Sequence, residues 1–369
     1  MSYFLNILKN IDKVILVVLV FFAAISLAIV ASIHYDGETI FNRTFIVQAG
    51  AYVIGFVILF IVLYFDYNGF IKFEKFAYVA TILFQCMVYI PGLGYEVNYT
   101  RAWIKIPGFT TMQPSEFVKI AFVLLFACYL VRHKDDLKSF KGFLKAFIYA
   151  APIVGIVAIE DMGAGIVMAF MFIGMVFYAG LDGKLFLRLA AVFLIALPVM
   201  YRFMQGHQKD RIDAWLHPDN LSISATWQAY QAKIAIGSGG FFGKGLFNGT
   251  QKELNFVPVK DSDFIFSVIG EELGFLGGGA LIAAYTVFIT RIWKIASEAK
   301  DMYGSLIAIG LMCMFGFQAF ENIAMTIGLM PITGITLPFI SAGGTSILAN
   351  MIGIGLVLGV GIRSKKINF

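Results

Sequence analysis

Two carboxylates stand where a long polar segment meets a mostly apolar run. Asp261 and Asp263 form an Asp-x-Asp pair, and the apolar run occupies residues 264–290. Soluble glycosyltransferases use such a pair to bind a metal and a nucleotide sugar, but they need a nucleotide-binding domain, and none fits in this chain. A carboxylate at a membrane surface can act as a general base. At the start of a helix it can instead stabilise the helix dipole, so both interpretations of Asp263 stay open.

A second pair of charges lies inside an apolar run. Glu116 and Lys119 are three residues apart, so on a helix they share one face and can form an ion pair. Charges within a membrane are costly and are often retained for function. A substrate site and a purely structural ion pair are both compatible with this spacing. Glu271 and Glu272 lie deeper, beyond Asp263, and there we expect buried carboxyls that are hydrogen-bonded or protonated.

The glycine-rich stretch GSGGFFGKG, residues 237–245, invites comparison with a phosphate loop but departs from the Walker pattern. No strand precedes it, so we exclude a nucleotide site. Its backbone N–H groups and Lys244 could bind a lipid-linked diphosphate, or the stretch could be an ordinary turn. Arg101, beside Trp103, could likewise hold a phosphate or anchor the chain at the membrane interface.

The composition predicts that a bundle of membrane helices positions these residues. The chain has 369 residues, of which 59% are hydrophobic and 14% charged, whereas a soluble domain is about one quarter charged. We predict an all-α polytopic membrane protein with ten transmembrane helices, folded as a single domain over residues 1–369. The ten apolar runs are residues 14–33, 46–65, 76–94, 116–131, 147–159, 164–181, 189–204, 264–290, 303–323 and 345–362.

The distribution of Lys and Arg predicts the orientation of the bundle. Most of the 28 basic residues fall in alternate loops and tails if both termini are cytoplasmic, which agrees with the positive-inside rule. The long loop 205–263, between the seventh and eighth helices, is then extracellular. It is nevertheless rich in basic residues, namely Lys209, Arg211, Lys233, Lys244, Lys252 and Lys260. We infer that an anion is handled at the outer face, while the modest net charge of +5 does not indicate a nucleic-acid partner.

The outer connection between the ninth and tenth helices is apolar but irregular. Pro331, Gly334, Pro338, Gly343 and Gly344 prevent a continuous helix. Irregular backbone at membrane depth must be covered by protein or line a cavity, so we predict a re-entrant loop that lines the same outer site. The four histidines have no metal-ligand spacing, and the three cysteines fall in apolar runs, as buried free thiols do.

The predicted topology restricts the reaction. Nucleotide sugars and ATP are cytoplasmic, whereas the candidate site faces outwards. A donor used there must carry its own activation, for example as a lipid-linked diphosphate, and the outer basic residues would suit such a leaving group.

Several motifs together resemble the SEDS family, the shape, elongation, division and sporulation proteins of bacteria. They are RAWI at 101–104 with QPSEFVK at 113–119, IAIGSGGFFGKG at 234–245, GTQ at 249–251, DFIFSVIGEELGF at 263–275, Gln318 with Asn322, and GLMPITGITLPFISAGGTS at 328–346. The GTQ sequence is more similar to the elongation members, the RodA type, than to the division members. Two family patterns, P-D-x-G-T-A and G-I-P-L-P, are replaced here by EDMGAG and GITLP.

The resemblance implies a peptidoglycan glycosyltransferase of the bacterial inner membrane. Such proteins polymerise lipid II, an undecaprenyl-diphosphate-linked disaccharide-pentapeptide, and the elongation members do so during cell elongation and cell-shape maintenance. The family's essential aspartate falls on Asp263, and its membrane-embedded acid–base pair falls on Glu116 and Lys119. The implied partners are a class B penicillin-binding protein, which is a transpeptidase, and membrane lipids. A divalent cation, Mg²⁺ or Mn²⁺, is compatible with the family, but no ligand set stands out in this sequence.

These observations lead to one hypothesis with three alternatives. Asp263 is the catalytic base of a single inverting displacement, and the predicted substrate-binding residues are Arg101, Glu116, Lys119, Arg211, Lys244, Gln251, Ser341, Gly343 and Gly344. The first alternative is a lipid II flippase or transporter that uses the intramembrane charges as a path, although the sequence shows no convincing inverted halves. The others are a division or sporulation member of the same family, and a scaffold that only activates its penicillin-binding partner.

Overall fold

The computed structural model describes residues 10–35, 37–97, 100–105, 111–204, 206–254 and 256–364, and it is dominated by helices. In chain order these are α1 Lys13–Ile33, α2 Arg43–Tyr64, α3 Glu74–Cys86, α4 Pro114–His133, α5 Phe140–Glu160, α6 Met162–Tyr178, α7 Gly183–Phe203, α8 Gly206–Leu216, α9 Ser224–Gly239, α10 Thr250–Glu253, α11 Ile265–Ser297, α12 Met302–Thr326 and α13 Gly344–Ser364. Short 3₁₀ helices occupy Tyr67–Phe73, Met87–Tyr89 and Lys134–Lys138.

Each of the ten predicted spans falls on one of these helices. Seven helices of the described residues, α1, α2, α4, α5, α11, α12 and α13, are long and apolar enough to cross a membrane. Helix α6 is apolar but shorter. The all-α polytopic membrane fold is therefore confirmed, whereas the count of ten spans stays a prediction.

Helices α4 and α12 lie at the centre of the bundle. In the most apolar stretch of each, 78% of the residues are buried, against 28% in α5. Helix α12 packs against α6 and α11, and α13 packs along α2. The outer helices expose large apolar side chains, as expected where lipid is the solvent, for example Val17, Phe76 and Ile195.

The irregular segment that follows α12, residues 331–343, is held at the core of the bundle. Phe339 is buried, and its ring lies 5.4 Å from that of Phe315, 5.6 Å from that of Phe288 and 5.9 Å from that of Phe22. Side chains of three helices donate hydrogen bonds to its free carbonyls, namely Ser26 Oγ to Ile340 O at 2.8 Å, Tyr52 Oη to Phe339 O and Tyr285 Oη to Pro338 O. The segment is thus irregular and covered by protein, as the sequence predicts.

Helix α11 is broken at Gly274, where φ is +66° and ψ is −163°. The stretch 240–245, in the long loop between α7 and α11, docks into this break. Lys244 N and Gly245 N donate to the carbonyls of Glu271 and Glu272, each at 3.0 Å, while Phe275 N donates to Gly240 O at 2.9 Å. The loop thereby satisfies backbone groups that an unbroken helix would satisfy within itself.

Replacing Gly274 by Ala is expected to destabilise the fold by more than about 3 kcal/mol, because only glycine adopts this backbone conformation at low cost. An added Cβ would also lie 2.2 Å from Gly243 N. Gly279→Ala in the same helix is the control, since its Cβ would meet nothing within 4 Å. Thermal unfolding of the purified variants tests this, and equal stability of the two would contradict the account of the break.

A small antiparallel sheet stands where the sequence predicted only a polar connection. Its strands are β1 Gly94–Val97, β2 Thr100–Lys105 and β3 Thr111–Met112, in the order β1-β2-β3. The third predicted span, 76–94, is correspondingly too long, because α3 ends at Cys86 and only a 3₁₀ turn follows. Pro91 cannot donate the hydrogen bond that would continue the helix, so the chain turns there and enters β1.

Candidate functional site

Asp263 and Arg211 flank the same space beside Gly334 of the irregular segment. A Cβ placed on Gly334 would lie 3.5 Å from Asp263 Oδ2 and 3.6 Å from Arg211 Nη1. Arg211, in α8, also donates from Nη1 to Thr333 O at 2.8 Å. Glycine at position 334, with φ of +78°, leaves the space in which the carboxylate and the guanidinium approach one another.

The backbone before α11 is held at three successive carbonyls. Ala342 N donates to Asp261 O at 2.8 Å, and Ser341 Oγ donates to Ser262 O at 2.6 Å. Asn322 Nδ2, buried in α12, donates both to Asp263 O at 2.8 Å and to Ile335 O at 2.7 Å. Such bonds between buried groups fix the position of Asp263 relative to the irregular segment.

The two carboxylates of the Asp-x-Asp pair lie in different electrostatic surroundings. Burial raises the pKa of Asp263 above its ordinary value, although the hydrogen bond from Ser262 and the charge of Arg211 act in the opposite direction. His34, whose Nε2 lies 3.4 Å from Asp261 Oδ2, lowers the pKa of Asp261. A carboxylate with a raised pKa has the greater tendency to accept a proton, so Asp263 is the better base of the two.

A cavity of about 440 Å³ opens beside this cluster. Its wall includes Asp261, Glu116, Gly343 and Gly344 but not Asp263 or Arg211, so the fold brings three of the predicted substrate-binding residues together with one carboxylate of the Asp-x-Asp pair. Other polar or aromatic wall residues are Arg43, Gln48, Trp103, Lys105, Gln113, Thr336 and Ser346. The wall therefore offers both cations and hydrogen-bonding groups to a polar ligand.

Glu116 and Lys119 form the ion pair that their spacing allows. Lys119 Nζ lies 2.8 Å from Glu116 Oε1, and the two side chains are only 2% and 8% exposed. Nearby, Gln113 Nε2 donates to Asp161 Oδ2 at 2.8 Å. Asp161 also caps α6 by accepting from Ala164 N at 2.9 Å. Its charge acts on Asp263 as well, so it links the ion pair to the Asp-x-Asp pair.

Lys244 and Gln251 lie with Glu271. Lys244 Nζ lies 2.8 Å from Glu271 Oε1, which also accepts from Gln251 N at 2.9 Å, and Glu271 is fully buried. The N–H groups of Gly243, Lys244 and Gly245 all donate to protein carbonyls. These three N–H groups are therefore engaged within the protein, those of Lys244 and Gly245 in docking the turn into the break in α11, which favours the ordinary-turn alternative. Any substrate contact by Lys244 or Gln251 stays an untested prediction.

Glu271 and Glu272 are buried and hydrogen-bonded, as the sequence predicts. Lys252 Nζ lies 2.6 Å from Glu272 Oε1 and donates to Ser32 O at 3.0 Å. Ser32 Oγ donates to the same Glu272 oxygen at 2.6 Å. This buried pair ties the long loop between α7 and α11 to the end of α1 and to α11.

Arg101 lies on β2, outside the cavity wall. Side chains alternate along a strand, so Arg101 shares a face with Trp103 and Lys105, which do line the cavity. Its side chain is exposed, and its backbone N donates to Glu160 Oε2 at 3.1 Å. Arg101 therefore extends the basic face of the cavity outwards, and the interfacial-anchor alternative stays open.

Ser341 and Gly343 help to hold the irregular segment after α12 in place. Gln48 Nε2 donates to Ser341 O at 3.1 Å and Gln48 Oε1 accepts from Gly343 N at 3.0 Å, so one amide in α2 holds both residues. Sequence reasoning did not assign a role to Gln48, Asn322 or Lys105. A polar side chain inside an apolar run is the sequence feature that could have identified Gln48 and Asn322. Lys105 does not lie in such a run, so this feature could not have identified it.

Within the described ranges, no group of three or more His, Cys, Asp or Glu side chains is arranged to hold a metal ion. The divalent cation implied by the resemblance stays an untested prediction.

The chain matches known proteins along nearly its whole length. The family of cell cycle proteins that comprises FtsW, RodA and SpoVE matches residues 10–366. A probable peptidoglycan glycosyltransferase FtsW of Geobacter sp. (strain M18) is 34% identical over 317 residues, which cover 85% of each chain. Stage V sporulation protein E of Bacillus subtilis (strain 168) is 34% identical over 346 residues, or 92% of this chain and 91% of that one.

Solved structures share the fold. A chain from a peptidoglycan synthase complex that coordinates polymerization and crosslinking has a TM-score of 0.78 at 24% identity, over 96% of this chain and 99% of that chain. The rod shape determining protein RodA of Thermus thermophilus has a TM-score of 0.69 at 24% identity, over 95% of this chain and 96% of that one. The family match and the apolar helices show that this chain belongs to the FtsW, RodA and SpoVE family and is a multi-pass protein of the bacterial inner membrane.

Proposed function

We propose that this chain is a peptidoglycan glycosyltransferase that polymerises lipid II at the outer face of the membrane. The observation that carries the proposal is that Asp263 Oδ2 and the Arg211 guanidinium flank the same space at Gly334, while the neighbouring Asp261 lines a polar cavity of about 440 Å³. A base and a cation held together beside a cavity suit a displacement in which a hydroxyl attacks and an anion leaves.

The proposed step is a single inverting displacement. The acceptor sugar hydroxyl attacks the anomeric carbon of the donor, and its proton passes to the Asp263 carboxylate. The bond between that carbon and the diphosphate oxygen breaks, and the electron pair leaves with the diphosphate. Arg211, with Arg43 and Lys105 on the cavity wall, stabilises the growing negative charge. The diphosphate is already ionised, so no strong general acid is needed.

Glu116 and Lys119 shape the cavity rather than exchange the reacting proton. Their mutual ion pair leaves Glu116 on the wall and Lys119 almost fully covered. The predicted contacts of Arg101, Gly343 and Gly344 lie along the same wall or just beyond it. The roles given to these individual residues are part of the proposal, and substitution of each residue tests its role.

The second part of the proposal is that the chain acts with a class B penicillin-binding protein and that it does so in cell elongation. A structural neighbour belongs to a complex that coordinates polymerization with crosslinking, which supports a partner of that kind. GTQ at 249–251 favours elongation, whereas the similar FtsW and SpoVE proteins carry division and sporulation names. Complementation of elongation-deficient and division-deficient cells decides between them, and rescue of division alone would overturn the elongation role.

A polymerisation assay with the purified chain and lipid II tests the function itself. Glycan strands formed by the chain alone, or by the chain with a class B partner, are the expected product. Transport of lipid II across vesicles without polymer would favour the flippase alternative, and polymer made only by the partner would favour the scaffold.

The raised pKa of Asp263 predicts the acid side of the pH profile. The base must be ionised, so kcat/KM falls as the pH drops through the pKa of Asp263. Since burial raises that pKa, the fall should lie above about 3.9, the ordinary value for Asp. The profile of kcat/KM against pH measures it. A fall centred at or below the ordinary value contradicts the assignment.

A further inference from the structure

A second, smaller cavity has Arg211 on its wall. It is formed between α8, α9 and the chain that follows α12, and its volume is about 30 Å³. One buried water needs about 10–15 Å³ on this measure, so the cavity has room for about two or three water-sized polar atoms. Its wall includes the cations Arg211 and Lys233 and no carboxylate.

A buried hydroxyl without a partner lies on the same wall. Thr226 is 2% exposed, and within the described part of the chain its Oγ1 has no hydrogen-bond partner. Leaving a buried polar group unsatisfied costs about 1–3 kcal/mol, so a ligand that accepts from this hydroxyl would recover that cost. Thr226, Ala229 and Lys233 follow one face of α9 and all line the cavity.

The start of α9 adds donors at the same place. Ile223 precedes the helix and provides no side-chain cap, so the first turn of α9 retains free N–H groups near Thr226. The N-terminus of a helix favours negative charge. This end alone would not define a site, but it points in the same direction as the two cations and the unpartnered hydroxyl.

Lys233 is free to serve a ligand. Among the described residues, no carboxylate lies within ion-pair distance of its Nζ. Its side chain runs over Gly328, where an added Cβ would lie 3.3 Å from Lys233 Cδ. Gly328 has a φ of +84°, so the turn both permits this backbone and leaves room for the lysine.

We propose that Arg211, Lys233 and Thr226 form an oxyanion subsite that binds one phosphate or carboxylate group of the lipid-linked substrate. Every polar group identified on this wall donates hydrogen bonds, and the remaining wall is largely apolar, as at Trp215, Met330 and Ile332. Arg211 contributes both to this subsite and to the surroundings of Asp263. The subsite would therefore hold the substrate next to the reacting centre. The identity of the ligand of this subsite rests on the proposed glycosyltransferase function.

Binding is tested on the full chain in detergent, apart from polymerisation. Thermal unfolding is followed with sodium pyrophosphate or sodium acetate, against sodium chloride at equal ionic strength. We expect one or both anions to raise the Tm of the wild-type chain. Thr226→Val and Lys233→Met should abolish the rise, whereas Lys209→Met, an equal loss of charge elsewhere in the loop, should keep it. A response to pyrophosphate alone assigns the subsite to the diphosphate, and a response to acetate alone assigns it to a peptide carboxylate.

Kinetics with lipid II provide the second measurement. Lys233→Met should raise KM about tenfold with kcat nearly unchanged, as the loss of one charge-assisted hydrogen bond predicts. Asp263→Asn should lose turnover but keep the anion-dependent rise in Tm, so failure of the subsite and failure of the glycosyltransferase assignment are distinguishable. No rise with either anion, or a rise that survives in both Thr226→Val and Lys233→Met, overturns the subsite.

Discussion

Asp263→Asn is expected to lower lipid II polymerisation by about 10²–10⁴-fold, which is the usual contribution of a general base. Asparagine keeps the size and the hydrogen-bonding reach of the side chain but cannot accept the proton of the acceptor hydroxyl. The carbonyl of residue 263 still accepts from Asn322, so the backbone before α11 should stay in place. The rate of glycan formation by the purified chain, with its partner present, measures the effect.

The same variant should be at least as stable as the wild-type chain near neutral pH. The pKa of Asp263 is raised in the folded state, so the buried charge costs stability above that pKa, and the cost disappears below the unfolded value of about 3.9. Asparagine removes that charge. A Tm well below that of the wild type would show that lost activity reflects misfolding instead of lost chemistry.

Asp219→Asn is a matched control for this experiment. Asp219 lies in the same long loop before α11 and its side chain is exposed. The substitution removes one negative charge from the loop without touching the cavity, and polymerisation should stay close to the wild-type rate. Full activity in Asp263→Asn, with Asp219→Asn equally active, would sink the assignment of the base.

Lys252→Met is expected to destabilise the protein by about 3–5 kcal/mol, the range found when one partner of a buried ion pair is removed. The Lys252 side chain is 4% exposed and that of Glu272 is 0% exposed, so little water can replace the lost ammonium. The backbone carbonyl of Ser32 loses a donor as well. Thermal or denaturant unfolding in detergent measures the loss.

A double substitution separates the charge effect from the packing effect. In Lys252→Met with Glu272→Gln, no uncompensated carboxylate remains, so much of the stability should return. Lys294→Met provides an exposed control, because the pair of Lys294 and Glu298 is mostly solvent-accessible and such pairs contribute at most about 1 kcal/mol. A Lys252→Met loss no larger than that of Lys294→Met would contradict the role of the buried pair in anchoring the loop.

The anchoring has a functional consequence. The loop that carries Lys252 also supplies the turn that docks into the break in α11, and α11 begins at Ile265, two residues after Asp263. A loosened loop should therefore misplace the base as well as lower stability. We expect the residual folded fraction of Lys252→Met to polymerise lipid II more slowly than the wild type, while the double substitution recovers activity together with stability.

The sequence alone was sufficient for the membrane class, the approximate spans and the ion pair of Glu116 and Lys119. Helix periodicity and apolar length are local properties, so they appear directly in the order of residues. The irregular segment after α12 was predictable for the same reason, since Pro331, Gly334 and Pro338 each act on the backbone at their own position. The importance of Asp263 needed the family resemblance, because a helix cap explained its position equally well.

The partners of the charged residues were decided only by the tertiary structure. Lys244 and Arg211 lie in the same loop and were indistinguishable as anion-binding residues in the sequence, yet Lys244 pairs with Glu271 while Arg211 and Asp263 flank the same space beside Gly334. The bond of Ser341 to the carbonyl of Ser262 joins residues 79 positions apart. Local pattern fixes which elements form, but which loop enters a break in a helix depends on the packing of distant segments and on where their unpaired backbone groups and buried charges can be satisfied.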